Sequence, residues 1–257
     1  ETYYGERCGG AEFFALYGAD IVKPVLALAL KRAQLSPGLV ALDAGCGRGE
    51  LLYQLRQRGV DTVGADFAPA ALHLAAKTSK VPVLRADARS LPFRAASFDR
   101  IFFMGVVDHL ADGDLEQCFA EFRRLLKPNG FMLLNTCVNT DYYKRRTYAL
   151  RCRLARALRL RRPSAPRSTE DEALHINEHN EGDLRRLLTD QGWSADIELR
   201  PNDKYVIDEL YEPPLPADFP LKRPPAWKRA WHAAAFGGPW KKYLARELFC
   251  RAWPQKR

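Results

Sequence analysis

Three carboxylates sit where apolar, strand-like runs give way to turns. Asp43 opens Asp43-Ala-Gly45-Cys-Gly47-Arg-Gly49-Glu50, Asp66 closes the run Thr62-Val-Gly-Ala65, and Asp87 follows Val81–Ala86. Glycines between a strand and a helix permit a tight turn and let a ligand approach the backbone at the helix amino terminus. The G-x-G-x-x-G fingerprint of dinucleotide sites needs a glycine at position 50, where Glu50 stands. An acid in that turn repels a pyrophosphate and suits a cationic ligand with an ammonium group. Asp66 is placed to accept both hydroxyls of a ribose, and Asp87 to accept from an exocyclic amine such as that of adenine. One glycine turn occurs in many α/β proteins, and a single such acid reads equally well as a helix cap. Three at consecutive strand ends point to one ligand.

Histidines supply the candidates for proton transfer. His109 follows the strand-like run Phe98–Met104 in Val106-Val-Asp108-His109-Leu110, and imidazole is the usual general base near neutral pH. It is a candidate base or acceptor-orienting group; the alternative is a residue that caps or packs beside the ligand. His175-Ile-Asn-Glu-His179 has the i, i+4 spacing that ligates metal on a helix. The H-E-x-x-H order is absent and no third ligand is evident, so no metal is expected. Contact of His175 or His179 with an acceptor is the other reading. Six cysteines are scattered without a C-x-x-C pair, which gives neither a zinc site nor a disulfide framework and suits a reducing compartment with buried thiols.

Strand-then-helix alternation positions these groups. Leu39–Leu42, Thr62–Ala65, Val81–Ala86, Phe98–Met104 and Phe131–Val138 read as strands. Helices are predicted over Glu50–Arg58, from Pro69, and over Asp114–Lys127, the last ended by Pro128-Asn129-Gly130. Such spacing implies βαβ units and a parallel sheet with right-handed crossovers. After residue 139 the rhythm breaks, then resumes with a helix at Glu181–Gln191 and strands at Ser194–Leu199 and Glu247–Trp253.

At 257 residues and 47% hydrophobic content the chain suits one large α/β domain and excludes a disordered or fibrous one. The best apolar stretch, Val25–Leu30, stops at Lys31-Arg32, short of a membrane span. No charged-then-apolar leader is visible, so no secretory signal is expected, and the scattered cysteines point to a cytoplasmic location. Its +9 charge is uneven: residues 141–170 carry +8 and 221–257 carry +9, leaving −8 elsewhere. Basic attachments on an acidic body suggest anionic partners, with a merely solubilising surface as the alternative.

Val40-Ala-Leu-Asp43-Ala-Gly45-Cys-Gly47-Arg-Gly49 resembles motif I of the class I S-adenosylmethionine-dependent methyltransferases. Val63-Gly-Ala-Asp66-Phe-Ala-Pro-Ala-Ala-Leu72 is similar to their second motif, with its ribose-binding acid. Asp87-Ala-Arg-Ser-Leu-Pro-Phe93 and Ser97-Phe-Asp99-Arg-Ile resemble the adenine-side loop and fourth strand, and Leu125-Leu-Lys-Pro-Asn-Gly130 the helix end before the fifth. The match covers residues 39–138 and extends loosely to His175–Trp193. It implies an α/β, Rossmann-like doubly wound sheet of seven strands, mostly parallel with an antiparallel last strand. Helical insertions follow strands five and six. Residues 1–38 would form an amino-terminal helical lid, and 39–257 the methyltransferase domain with basic insertions 139–172 and 201–245.

The resemblance further implies S-adenosyl-L-methionine as methyl donor, with S-adenosyl-L-homocysteine as product. Its holders would be Asp43, Gly45, Cys46, Gly47, Gly49, Asp66, Phe67, Asp87, Ala88 and Met104. His109 and His175 are the catalytic candidates, and Tyr4, Tyr17, Arg153 and His179 the acceptor contacts. Tyr3, Tyr4, Phe13, Phe14 and Tyr17 either cover the donor as a lid or pack an added helix on the sheet. An Asn-Pro-Pro-aromatic tetrapeptide, the mark of amine methylation, is replaced by Phe103-Met-Gly-Val-Val. The expected acceptor is therefore an oxygen, more than a nitrogen, of a small, anionic or lipid-linked molecule. Trp227, Trp231, Phe236 and Trp240 among lysines and arginines suit peripheral association with the inner face of an anionic membrane. An RNA or DNA methyltransferase is the first rival reading, though no RNA-binding module is recognisable. A non-catalytic cofactor-binding protein is the second.

Overall fold

A computed structural model of the chain describes residues 11–163, 165, 174–205 and 223–255, with residues 11–13 described by backbone alone. Seven strands form one sheet in the order β3-β2-β1-β4-β5-β7-β6. They are β1 Val40–Ala44, β2 Asp61–Asp66, β3 Val83–Arg85, β4 Phe98–Met104, β5 Leu126–Cys137, β6 Trp193–Arg200 and β7 Glu247–Pro254. The first five run parallel, and β7 lies antiparallel between β5 and β6. This is the doubly wound seven-stranded arrangement expected from the sequence.

Helices cover both faces, because parallel strands buried on both sides need cover on both. One face packs α5 (Asp112–Leu125) and α8 (Glu181–Asp190), with Phe119, Phe122, Leu184, Leu188 and Trp193 fully buried. The other packs α2 (Pro24–Arg32) and α3 (Glu50–Gln57) through Leu26, Leu28, Ala29, Leu51 and Leu55 against Ala41, Phe102 and Leu133. Apolar positions three and four apart in each helix give this one-sided burial. Short α1 (Ala11–Tyr17) precedes α2, and α4 (Pro69–Ser79), with proline in its first turn, joins β2 to β3.

Two boundaries differ from expectation. The helix before β5 ends at Leu125, and Pro128-Asn129-Gly130 lies inside β5 rather than after the helix. The register slips there, from Phe98 opposite Leu126 to Arg100 opposite Phe131, with Asn129 at φ 71°. A residue without an N–H followed by one in the left-handed region makes a bulge instead of a stop. In β3 the strand begins at Val83 rather than Val81, since Pro82 has no N–H for the ladder.

The basic insertions are helical. After β5 come α6 (Tyr143–Arg146) and α7 (Tyr148–Ala157); after β6 come α9 (Ala226–Phe236) and α10 (Lys241–Leu244). They are fastened together. Asn139 donates from Nδ2 to the carbonyls of Lys242 and Ala245, both at 3.0 Å, and the Arg146 guanidinium lies 5.8 Å from the Tyr243 ring centre.

Candidate active site

A cavity of about 550 Å³ opens at the carboxyl ends of β1 to β4. Its wall brings together Asp43, Gly45, Cys46 and Gly47 from the first turn, Asp66 and Phe67 from the end of β2, and Asp87 and Ala88 past β3. Met104 and His109 complete it from the end of β4 and the following 3-10 turn, Val107–His109. The backbone makes this convergence possible at Gly45, φ +81°, where a Cβ would come within 2.5 Å of Val106 Cγ2.

Asp66 ties the turn to β2. Its Oδ2 accepts the Gly47 N–H and its Oδ1 the Ala68 N–H, both at 2.9 Å. Each carboxylate oxygen retains a second lone pair for a ligand hydroxyl. Asp43 is almost fully buried, and that burial, with the neighbouring Asp66 and Glu50 carboxylates, pushes its pKa up to about 8. Glu50 is matched by Arg48 at 3.1 Å, with both side chains buried. Burial beside Asp43 and Asp66 also pushes the Cys46 thiol far up, so this sulfur packs as a neutral group. Asp87 reaches the wall already engaged with Arg89, which also holds Asp114 at 2.7 Å. That guanidinium keeps the Asp87 carboxyl below its ordinary range.

The histidines are arranged by a strap, residues 174–180, laid over the segment after β4. His109 Nδ1 lies 2.9 Å from the Leu174 carbonyl. A carbonyl only accepts, so Nδ1 carries the proton and Nε2 is the basic nitrogen of a ring lining the cavity. The His175 ring lies against it, ring centres 4.4 Å apart and planes tilted by 36°, and its Nε2 lies 2.9 Å from Asp108 Oδ2. Asn177 donates to the Leu110 carbonyl at 2.9 Å and to Asp112 Oδ1 at 2.7 Å, fixing the strap. One ligand atom each from Asp108, His109 and His175 lies within 4.8 Å of the others. Two of these groups already bond each other, and His109 bonds the strap.

Several expected contacts fall elsewhere. Gly49, φ +79°, does not line the cavity; a Cβ there would sit 2.8 Å from the Ala75 Cα, so its role is the packing of α3 on α4. His179 is buried, 3.3 Å from Asp112, and secures the strap rather than facing the cavity. The His175–His179 stretch is not helical, which removes the helical i, i+4 pair. Arg153 is exposed on α7, and Tyr17 is half-buried away from the cavity wall. Tyr4 lies outside the described residues.

Other neighbours come from distant parts of the chain. Lys23 and Leu26 line the cavity from the start of α2, and Leu174 from the strap. Beyond Gly105, whose N–H donates to Asn135 Oδ1 at 2.8 Å, Asn135 Nδ2 donates to Glu247 Oε1 at 3.2 Å. Burial and Asp203 push the Glu247 carboxyl up to about 7, against the opposing pull of Arg246 and Arg200. No local pattern marks this charged group, because its members meet only through the pairing of β5, β7 and β6.

Residues 42–134 match the family described as a methyltransferase domain. Over 106 residues the chain is 38% identical to the ubiquinone biosynthesis O-methyltransferase of Cereibacter sphaeroides, covering 38% of this chain and 41% of that protein. The matched stretch of this chain is a methyltransferase domain. The demethylmenaquinone methyltransferase of Thermus thermophilus is 35% identical over 127 residues, covering 46% of this chain and 55% of that protein. The chain thus spans about half or less of the length of these curated relatives. The crystal structure of a SAM-dependent methyltransferase from Archaeoglobus fulgidus shares the fold, with TM-score 0.59 and 14% identity over 95% of this chain and 99% of that one.

The chemistry of S-adenosylmethionine fits this wall. Asp43 is buried beside the carboxylates of Asp66 and Glu50, and the ammonium and positive sulfur of S-adenosylmethionine would supply positive charge there. With its pKa raised to about 8, Asp43 is expected to carry a proton near neutral pH in the free protein and to release it when such a ligand binds. Affinity should therefore rise with pH up to about 8 and then level off. Calorimetric titration in two buffers of different ionisation enthalpy should give different apparent heats near neutral pH. Equal heats would mean that Asp43 does not change protonation on binding.

Proposed function

We propose that the protein is an S-adenosylmethionine-dependent methyltransferase acting on a hydroxyl oxygen of a small or lipid-linked acceptor. The observation that carries this reading is the cavity that joins the acid-lined donor turn to an imidazole of defined tautomer, His109. When bound, S-adenosylmethionine supplies a methyl group on a positively charged sulfur, a leaving group that needs no protonation. The protein is left to align the acceptor and to remove its proton. Gly47 and Asp66 would hold the donor at its ribose, Asp87 and Ala88 would face its adenine, and Met104 would line the wall beside its methyl-bearing sulfur. His109 Nε2 receives the hydroxyl proton. His175, held by Asp108, packs against His109 and limits its movement.

The relatives act in ubiquinone biosynthesis and on demethylmenaquinone by name, which supports a quinone-like, lipid-linked acceptor. Residues 1–38 serve as a lid whose α2 end, at Lys23 and Leu26, already borders the cavity. Residues 39–257 are the catalytic domain, with insertions 139–172 and 201–245. The working place is the cytoplasmic face of an anionic membrane; no helix of the described residues is long and apolar enough to cross one.

Incubation with methyl-labelled S-adenosylmethionine, a panel of hydroquinones and catechols, and lipid and RNA fractions of cell extract tests the reading. Label is expected on an oxygen of a phenolic or lipid-soluble product, identified by mass spectrometry. Label in RNA, or none in any fraction while the donor binds, would overturn it.

A further inference from the structure

The two insertions expose apolar side chains that a water-facing helix would not be expected to carry in register. On α7 and its cap, Leu150, Leu154 and Leu158 recur at i, i+4, i+8 and are 58%, 51% and 65% exposed. Such spacing places them along one side of the helix. The buried contact of α7 is Ala155, off that stripe, and Arg153 and Arg156 are exposed on its other flank. On α9, Trp227 and Trp231 repeat the i, i+4 spacing at 72% and 62% exposure, while His232 is the buried anchor, stacked on Tyr205. Trp240 is 64% exposed beside Lys241 and Lys242.

These helices belong to one side of the molecule. Asn139 joins the first insertion to Lys242 and Ala245 of the second, Arg146 covers Tyr243, and Lys144 lies within electrostatic reach of Arg151 and Lys228. That side is the carboxyl edge of the sheet, where β5 and β6 end, β7 begins and the donor cavity opens.

We infer that the exposed leucines of α7 and the tryptophans of α9 and its following turn form a docking surface for an anionic lipid bilayer. Tryptophan and leucine enter the headgroup boundary, while surrounding arginines and lysines meet the negative surface potential. A duplex or single strand of nucleic acid would match the charge but would leave unused a leucine stripe, which offers neither stacking nor hydrogen bonding. Docking on this side would set the cavity against the lipid phase, and that purpose, though not the docking itself, rests on the lipid-linked acceptor.

Flotation with vesicles of pure phosphatidylcholine and of phosphatidylcholine with about 30% phosphatidylglycerol separates the outcomes. The whole chain should float with the anionic vesicles at about 0.1 M salt, and much less at about 0.5 M or with the neutral ones. Trp227→Ser with Trp231→Ser, and separately Leu154→Ser with Leu158→Ser, should each lower vesicle affinity roughly tenfold. All four side chains are exposed, so melting temperature and S-adenosylmethionine affinity should be unchanged. Absence of flotation, equal flotation with neutral vesicles, or variants that float like the parent would overturn the inference. So would tighter binding to a labelled single-stranded RNA than to the anionic vesicles. Failed flotation with intact methyl transfer removes the docking surface alone; flotation without methyl transfer removes the enzymatic reading and leaves the surface.

Discussion

Asp66→Ala is expected to weaken S-adenosylmethionine binding about 10- to 100-fold, more than any single substitution within residues 141–170. Two effects combine. A carboxylate that would accept ribose hydroxyls is lost, and a hydrogen bond to a charged group contributes roughly 1.5–3 kcal/mol. The same carboxylate accepts the Gly47 and Ala68 N–H groups, so its removal also unfastens the donor turn from β2. Asp66→Asn keeps one oxygen acceptor and should fall between parent and alanine variant. Calorimetric titration, with circular dichroism to confirm the fold, reads the result. An unchanged affinity in a folded Asp66→Ala protein would take Asp66 out of the donor site.

Replacing His109 should act on turnover instead. Asn at this position is short enough to keep a donor toward the Leu174 carbonyl, but it has no basic nitrogen to receive the acceptor proton. General-base catalysis contributes roughly 10²- to 10⁴-fold, so His109→Asn should lower kcat by that order while donor affinity stays near the parent value. Asp108→Asn should have a smaller effect on kcat, because Asp108 touches His175 rather than the cavity imidazole. Steady-state kinetics with a hydroquinone acceptor, beside donor titration, separates the two behaviours. A His109→Asn enzyme with parental kcat would reduce His109 to a wall residue.

What the chain determined locally was the donor half of the site. Asp43, the glycines and Asp66 lie within one strand–turn–helix–strand stretch, and short-range geometry carries them to the same edge of the sheet. Their residue types and spacing therefore announced both the turn and the charge of its ligand. The parallel direction of the first five strands followed from the same alternation, because right-handed βαβ crossovers leave few arrangements, whereas their order, β3-β2-β1-β4-β5, came from the tertiary structure. Gly49 shows the limit of motif reading: it stands within the pattern, yet its missing Cβ serves the approach of α4.

The acceptor half was decided by tertiary structure. His109 and the strap are 65 residues apart in sequence, and nothing local to either states that Leu174 would fix the tautomer or that Asp108 would claim His175. His179 shared the spacing of a helical metal pair, but Asn177 and His179 bond to Leu110 and Asp112, and with those long-range bonds the segment forms no helix. The basic insertions were visible as charge. Which of their leucines and tryptophans face water depended on which side chains became the buried contacts, Ala155 on α7 and, on α9, His232 stacked on Tyr205, and on the bonds that join Asn139 to Lys242 and Ala245 across 103 and 106 residues.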